Sequence, residues 1–256
     1  MILLKVKGGL GNQMFQYAFG RAEASRLGTG LILDISWYRK ADRSFLIDKF
    51  GIADHKVISS RPFSYLAKKI LPSGAIYDGF WEDQRYASSI RGQLLKEFVL
   101  RNPSKKFSDM RAGISEDAIS IHVRRGDYLT VPDKLVLEYP YYEKAVKLIM
   151  EQNRLTDPRI IIFSDDKEWC RNNMASICGI KTEIFDDPQV TSEEELVLMS
   201  CCRHNIIANS TFSWWAAFLN QNKVPTIIAP QSWYKDADRN TSVLSALILP
   251  EWTVIQ

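Results

Sequence analysis

The stretch Ala118-Ile119-Ser120-Ile121-His122-Val123-Arg124-Arg125-Gly126-Asp127-Tyr128 decides the fold. Its first six residues read as a buried strand, which ends abruptly in two arginines, a glycine turn and an acid. Working outward, strands are predicted at Arg159–Phe163, Thr182–Phe185, Asn205–Ala208 and Pro225–Ala229. Amphipathic helices fall between several of them, over Tyr141–Glu151, Ser192–Cys202 and Phe212–Asn220. Strand–helix alternation of this kind makes a parallel sheet covered by helices on both faces. Such sheets bind ligands at the carboxyl ends of their strands, so the residues just after each strand are the ones to examine.

The N-terminus starts a second βαβ pattern. Ile2–Val6 reads as a short buried strand, followed by a glycine cluster and then a helix. Met14, Ala18 and Ala22 recur at helical spacing, Phe15 and Phe19 widen the stripe, and Gly28 is the expected C-terminal cap. Leu31–Ile35 is the next strand. Between residues 40 and 112 the pattern weakens; helices are expected over Phe63–Leu71 and Tyr86–Leu100, with a strand at Ala75–Phe80. Asn102-Pro103-Ser104-Lys105-Lys106 is polar and proline-broken, the natural place for a crossing between domains. The reading gives an N-terminal domain over 1–112 and a second over 113–256.

Composition limits the function classes. The 256 residues are 46% apolar and 25% charged, which suits packed domains and excludes a disordered chain. A net charge of +3 is too small for binding nucleic acid through many neutralised phosphates. The start, Met1–Gly9, has a short apolar run broken by Lys5 and Lys7, unlike a signal peptide, and no apolar stretch is long enough to span a bilayer. The expected compartment is the cytoplasm, with peripheral attachment to the inner membrane left open. The four cysteines fit no metal-ligand spacing; even Cys201-Cys202-Arg203-His204 lacks a distant second ligand pair, so reduced thiols are expected and no metal.

Four strand ends carry the polar chemistry. After the first strand comes Gly8-Gly9-Leu10-Gly11-Asn12-Gln13, where glycines allow close backbone approach and a helix start favours an anion. Asp34 follows at the end of the second strand, which suggests dinucleotide binding, but Met14 stands where G-x-G-x-x-G needs its third glycine. A tight structural turn is the plainer alternative. At the second strand end, Arg124 and Arg125 are permanently charged forks matched to phosphate oxygens. The alternative is a solvated edge with Asp127 as counter-ion. Ser164-Asp165-Asp166 follows a third strand and serves either as a helix cap or as part of a site. At the fourth, Asn209-Ser210-Thr211-Phe212-Ser213 opens an aromatic helix and offers small hydroxyls and free N–H groups, a phosphate cradle. Asp236-Ala237-Asp238 has the spacing of metal-assisted sugar transfer but reads as a turn in a polar loop.

Residues 8–17 (GGLGNQMFQY), the HVRRGDY run, the FSDD run and the ANSTFSWW run resemble, in that order, the α-1,2-fucosyltransferases of glycosyltransferase family 11. The resemblance implies an α/β, GT-B-like enzyme with two Rossmann-like parallel-sheet domains facing across a cleft. It implies inverting transfer of L-fucose from GDP-β-L-fucose to the 2-hydroxyl of a galactoside, such as a galactose-terminated oligosaccharide or glycan, without an obligatory metal or other cofactor. The second domain would hold the donor through His122, Arg124, Arg125, Ser164, Asp165, Asp166, Asn209, Ser210, Thr211, Phe212 and Ser213. Glu195, where related enzymes carry Asp, would accept from the guanine N1–H and amino group. Gly9 and Gly11 would contact the donor from the cleft, where Asn12 would join Arg124 and Arg125 as catalytic residues, the arginine pair meeting the charge on departing GDP, with the first domain offering the acceptor face. Asp127 is the first choice for general base, its alternative being an ion pair that orients an arginine; Asp133 is the second choice. Trp37, Tyr38, Trp81 and Tyr86 could stack on sugar faces or simply pack. Competing readings are a fucosyltransferase of another linkage, a non-catalytic sugar-nucleotide or glycan-binding protein, and a nicotinamide-dependent oxidoreductase.

Overall fold

The computed structural model describes residues 1–53, 55–59 and 75–256, so the helix expected at Phe63–Leu71 lies outside the described residues. The chain divides into two units, Met1–Asn102 and Pro103–Gln256. The break falls inside the polar crossing, ten residues before the 112/113 boundary. The helix Lys105–Ala112 accordingly belongs to the second unit. Its cap explains why: the Ser104 N–H donates to Glu194 at 2.6 Å and Lys106 pairs with Asp187 at 3.1 Å, both partners in the second unit.

In the first unit, β1 (Ile2–Lys5), β2 (Leu31–Asp34), β3 (His55–Ile58) and β4 (Ile76–Tyr77) form a parallel sheet in the order β3-β2-β1-β4. Helix α1 (Leu10–Arg26) packs so close to it that a Cβ on Gly20 would lie 2.9 Å from Leu4. The helix ends as expected at Gly28 (φ +59°), where the Thr29 N–H reaches Ala24 O and the Gly28 N–H reaches Ser25 O. The expected helix Tyr86–Leu100 is instead two, α2 (Gln84–Ser89) and α3 (Arg91–Glu97). Ile90, at φ −126° and ψ 24°, breaks the run, and the hydroxyl of Ser89 bonds back to Tyr86 O. Glu97 ends α3 in a buried network, accepting from Arg21 (3.0 Å), Tyr17 (2.7 Å) and Gln93 (2.8 Å).

The second unit begins with α4 (Lys105–Ala112) and β5 (Ile119–Val123), followed by α5 (Tyr139–Asn153) and β6 (Ile160–Ser164). Then come α6 (Lys167–Asn173), the β7 (Ser176–Ile177)/β8 (Ile180–Ile184) hairpin, α7 (Ser192–Cys201), β9 (His204–Ile206) and α8 (Thr211–Phe218). β10 (Ile227–Pro230), α9 (Ala237–Leu247) and β11 (Thr253–Ile255) complete it. The sheet order is β11-β10-β9-β5-β6-β8-β7, parallel except for the β7/β8 pair. From β5 the chain winds one way through β6 to β8, then returns to β9 on the other side of β5. The topological switch point is therefore the β5/β9 junction, where a crevice opens at the carboxyl ends.

The remaining sequence expectations resolve here. Asp236 caps α9, accepting from the Arg239 N–H at 2.7 Å, so Asp236-Ala237-Asp238 is a helix start rather than an open turn. Trp214 and Trp215 are both fully buried. His204 Nδ1 accepts the Thr226 N–H at 3.0 Å, and burial with nearby Arg203 lowers its pKa to about 4. It is a neutral structural imidazole.

Candidate active site

Arg124 and Arg125 leave β5 at the switch point, and the two guanidiniums occupy different environments. The Arg124 side chain is 24% exposed; its Nη2 donates to Asp127 at 2.6 Å and its Nη1 pairs with Asp165 at 2.8 Å. Its Cζ stands 5.4 Å from the ring centroid of Tyr128. Arg125 is buried. Its Cζ lies 4.0 Å over Trp169, Nη1 reaches both oxygens of Glu138 at 3.3 Å, and Nε is 3.4 Å from Asp166. That last separation is an ion pair with hydrogen-bond geometry unmet, since Arg125 Nε has no hydrogen-bond partner. Arg124 is thus the accessible cation and Arg125 the anchored one.

Ser164-Asp165-Asp166 provides the helix cap and a carboxylate on the arginines. Asp166 caps α6 by accepting the Trp169 N–H at 3.1 Å, and Ser164 Oγ accepts the Asp166 N–H at 2.9 Å. Asp165 faces the arginines, with one oxygen on Arg124 and the other on the Arg125 N–H at 2.9 Å. The glycine after the arginines leaves room for this carboxylate, since a Cβ on Gly126 would sit 2.5 Å from Asp165 Oδ2 and push it aside.

His122 is fully buried beside the Phe212 ring, with 5.5 Å between centroids. Burial, then the charge on Arg124, pushes its pKa down to about 3, so the ring is neutral at working pH. At the end of β9, Asn209 Nδ2 donates to Leu135 O and Trp233 O, while Oδ1 is buried with no hydrogen-bond partner. The Tyr128 hydroxyl donates to Asn209 O at 2.9 Å and ties the two strand exits together. Ser210 caps α8 on the Phe212 N–H. Ser213 is turned inward, its Oγ accepting the Ala208 N–H at 3.2 Å, so its hydroxyl serves the turn. The α8 N-terminus carries the positive end of the helix dipole, with its Phe212 N–H already capped by Ser210.

Glu195 lies in the first turn of α7, partly buried. Burial first, then nearby Asp186, raises its pKa to about 7 against the opposing charge of Lys167. Lys167 opens α6 directly after Asp166 and pairs with Asp186 at 2.8 Å. Asp133 is exposed, 3.8 Å from Arg239.

Gly9, Gly11 and Asn12 belong to the first unit, at the start of α1. Gln13, beside them, is fully committed: Nε2 donates to Gly8 O and Ser44 O, and Oε1 accepts from the Leu46 and Ile47 N–H groups. Asp34 is buried and accepts the Ser36 N–H at 3.0 Å, a turn-forming role rather than a ribose contact. Glu138 and Trp169, which frame Arg125, were not singled out by the sequence; both stand in helix starts that carry no signal of the contact.

A family model described as Glycosyl transferase family 11 matches residues 31–256. The chain belongs to this family. This glycosyltransferase has relatives of nearly its own length. It is 29% identical over 279 residues to an alpha-1,2-colitosyltransferase of Escherichia coli, covering 94% of this chain and 95% of that protein. It is 30% identical over 296 residues to the O-antigen biosynthesis glycosyltransferase WbnK of Escherichia coli, covering 94% and 96%. A Galactoside 2-alpha-L-fucosyltransferase Sec1 of Mus musculus is 27% identical over 86% of this chain and 64% of its own. Among solved structures, POFUT1 in complex with GDP matches at TM-score 0.50 and 11% identity, covering 88% of this chain and 98% of that one. A glycosyl transferase family 9 protein of Veillonella parvula matches at 0.55 and 9%, covering 99% and 86%. With its two Rossmann-like parallel-sheet units, the family 11 enzyme has the GT-B architecture. No described helix is long and apolar enough to cross a membrane.

Proposed function

We propose that the enzyme transfers L-fucose from GDP-β-L-fucose to the 2-hydroxyl of a galactoside, inverting the anomeric carbon. Arg124 carries this reading: an accessible guanidinium at the switch point of the second unit, braced by Asp165 and paired with Asp127 at 2.6 Å. Departing GDP gains negative charge, and a fixed guanidinium is preorganised stabilisation for it. No bound metal or other cofactor is needed in this scheme; GDP-L-fucose is a co-substrate. Arg125, clamped by Glu138, Asp166 and Trp169, keeps the strand end and its backbone in place.

Without ligand, four carboxylates (Asp127, Asp165, Asp166 and Glu138) surround the two guanidiniums. A diphosphate on Arg124 competes with the carboxylates that hold it. Of the two on Arg124, Asp127 is the more exposed (44% against 26%) and Asp165 is also held by the Arg125 N–H, so Asp127 is the one that gives way. Freed from Arg124, its carboxylate takes the proton of the attacking hydroxyl, so the ion pair and the base are two states of one residue. Glu195 reads guanine, and Asn209 Oδ1 and the α8 N-terminus complete the donor contacts. The first unit supplies the acceptor side, with Asn12 among its polar groups.

The test is GDP release from GDP-L-fucose against a panel of galactosides, with and without EDTA, and NMR of the product for linkage and anomeric configuration. Turnover that survives EDTA and yields an α-1,2 linkage supports the proposal; loss with EDTA contradicts the metal-free scheme. The colitosyltransferase relative favours a second reading, in which colitose is the transferred sugar. GDP-colitose offered beside GDP-L-fucose in the same assay separates the two.

A further inference from the structure

The first unit has a switch point of its own. In the order β3-β2-β1-β4, the chain moves from β1 to β2 and β3, then returns to β4 on the opposite side of β1. A crevice therefore opens at the carboxyl ends of β1 and β4. Its floor is Gly8, φ +85°, where a Cβ would meet Asn12 Nδ2 at 3.0 Å and Phe80 Cε1 at 3.3 Å. From the β2 side the Tyr38 hydroxyl donates to Gly8 O at 3.1 Å. From the β4 side comes Phe80, which is 43% exposed.

The backbone beside that exposed ring is strained. Trp81, the next residue, has φ +55°, a conformation that costs a side-chain-bearing residue and collects at functional sites. The turn sends Trp81 inward, parallel to Phe19 at 4.0 Å, and leaves Phe80 outward over Gly8. Lys7 and Lys5 both bind Asp78, Lys7 at 3.0 Å, and the Lys7 ammonium stands over one face of the Phe80 ring, 5.0 Å from its centroid, so a sugar would stack on the other face. An exposed aromatic ring flanked by one carboxylate, two ammonium groups and an amide is the chemistry that recognises a pyranose. The C–H face of the sugar covers the ring while its hydroxyls reach the polar groups.

We infer that Phe80 is the stacking platform for the galactoside acceptor, with Asp78 and Lys7 fixing its hydroxyls. This rests on the reaction proposed above and names the subsite that selects its acceptor. Galactose suits it, because its C3, C4 and C5 hydrogens form one apolar face.

The experiment compares wild type with Phe80→Ala, Phe80→Tyr and Phe80→Trp, using lactose as acceptor. Phe80→Ala should raise the acceptor KM about tenfold, the loss of one apolar contact face. GDP-L-fucose KM, kcat at saturating lactose and Tm should hold, and both aromatic variants should stay near wild type. In parallel, saturation-transfer difference NMR with methyl β-D-galactopyranoside should mark H3, H4 and H5 on the wild type and lose them on Phe80→Ala. An unchanged acceptor KM in Phe80→Ala, an equal rise in the donor KM, or failure of the aromatic variants to rescue would overturn the inference. The NMR arm needs no turnover. A galactoside that binds through Phe80 on a wild type that never releases GDP would sink the proposed reaction and leave the subsite standing.

Discussion

Replacing Arg124 with alanine removes the one guanidinium that is both fixed and accessible at the β5/β9 junction. The structure separates its catalytic from its structural cost. Its ion pairs, to Asp127 at 2.6 Å and Asp165 at 2.8 Å, are partly exposed, and pairs of that kind contribute at most about 1 kcal/mol to stability. Asp165 keeps its bond to the Arg125 N–H, so the strand end stays in place. Against the departing diphosphate the same group is asked for about 2.7–4 kcal/mol of barrier, or 10²–10³ in rate. Arg124→Ala should therefore drop kcat by about 10²–10³ while urea midpoints move little. Arg124→Lys should recover only part of the rate, since an ammonium cannot fork between two oxygens. Steady-state GDP release, GDP calorimetry and urea melts on the three proteins supply the numbers. A kcat for Arg124→Ala within about threefold of wild type, with donor saturating, would refute the reasoning.

Asp127→Asn leaves Asp165 on Arg124, so GDP affinity should persist while kcat falls by about 10² or more; collapse of GDP binding on calorimetry would make Asp127 purely a brace. Glu195, raised to about 7, should make GDP binding weaken as pH falls below 7 and level off above it, because guanine N–H donors need the carboxylate; Glu195→Gln should flatten that profile in titrations from pH 5.5 to 8.5. The same raised pKa has a stability sign: its contribution is present below the unfolded value near 4.5 and lost as pH rises through 7. Glu195→Gln should therefore gain stability at pH 8, by no more than about 3 kcal/mol in denaturant melts. Glu97→Ala takes the carboxylate away from the buried Arg21 guanidinium and should cost about 3–5 kcal/mol in thermal and urea unfolding.

The strands around Arg124 were legible because a parallel sheet buried on both faces writes itself as apolar runs, and each run ends where polar residues begin. The register of β5 with β6 and β9 was not legible, because a strand buried on both faces carries no alternation to fix it. The Ser164-Asp165-Asp166 run was legible only as alternatives, since a cap and a site ligand use the same side chains; in the structure Asp166 caps α6 and Asp165 pairs with the arginines. What clamps Arg125 was not legible. Glu138 and Trp169 come from two different helix starts, and no local period encodes a contact made through the fold. Residues 36–49 resisted for another reason: they contain two 3-10 turns, too short to show any repeat. Phe80 was passed over because an isolated aromatic in a weak strand reads as packing, and only the +55° turn at Trp81 reveals that it faces out.

A crystal structure of the GDP complex tests the central claim most directly. The account places a diphosphate oxygen about 2.7–2.9 Å from an Arg124 guanidinium nitrogen, at the ends of β5 and β9, with Asp127 swung off that nitrogen. A diphosphate bound elsewhere, with Arg124 still paired to both Asp127 and Asp165, would contradict it.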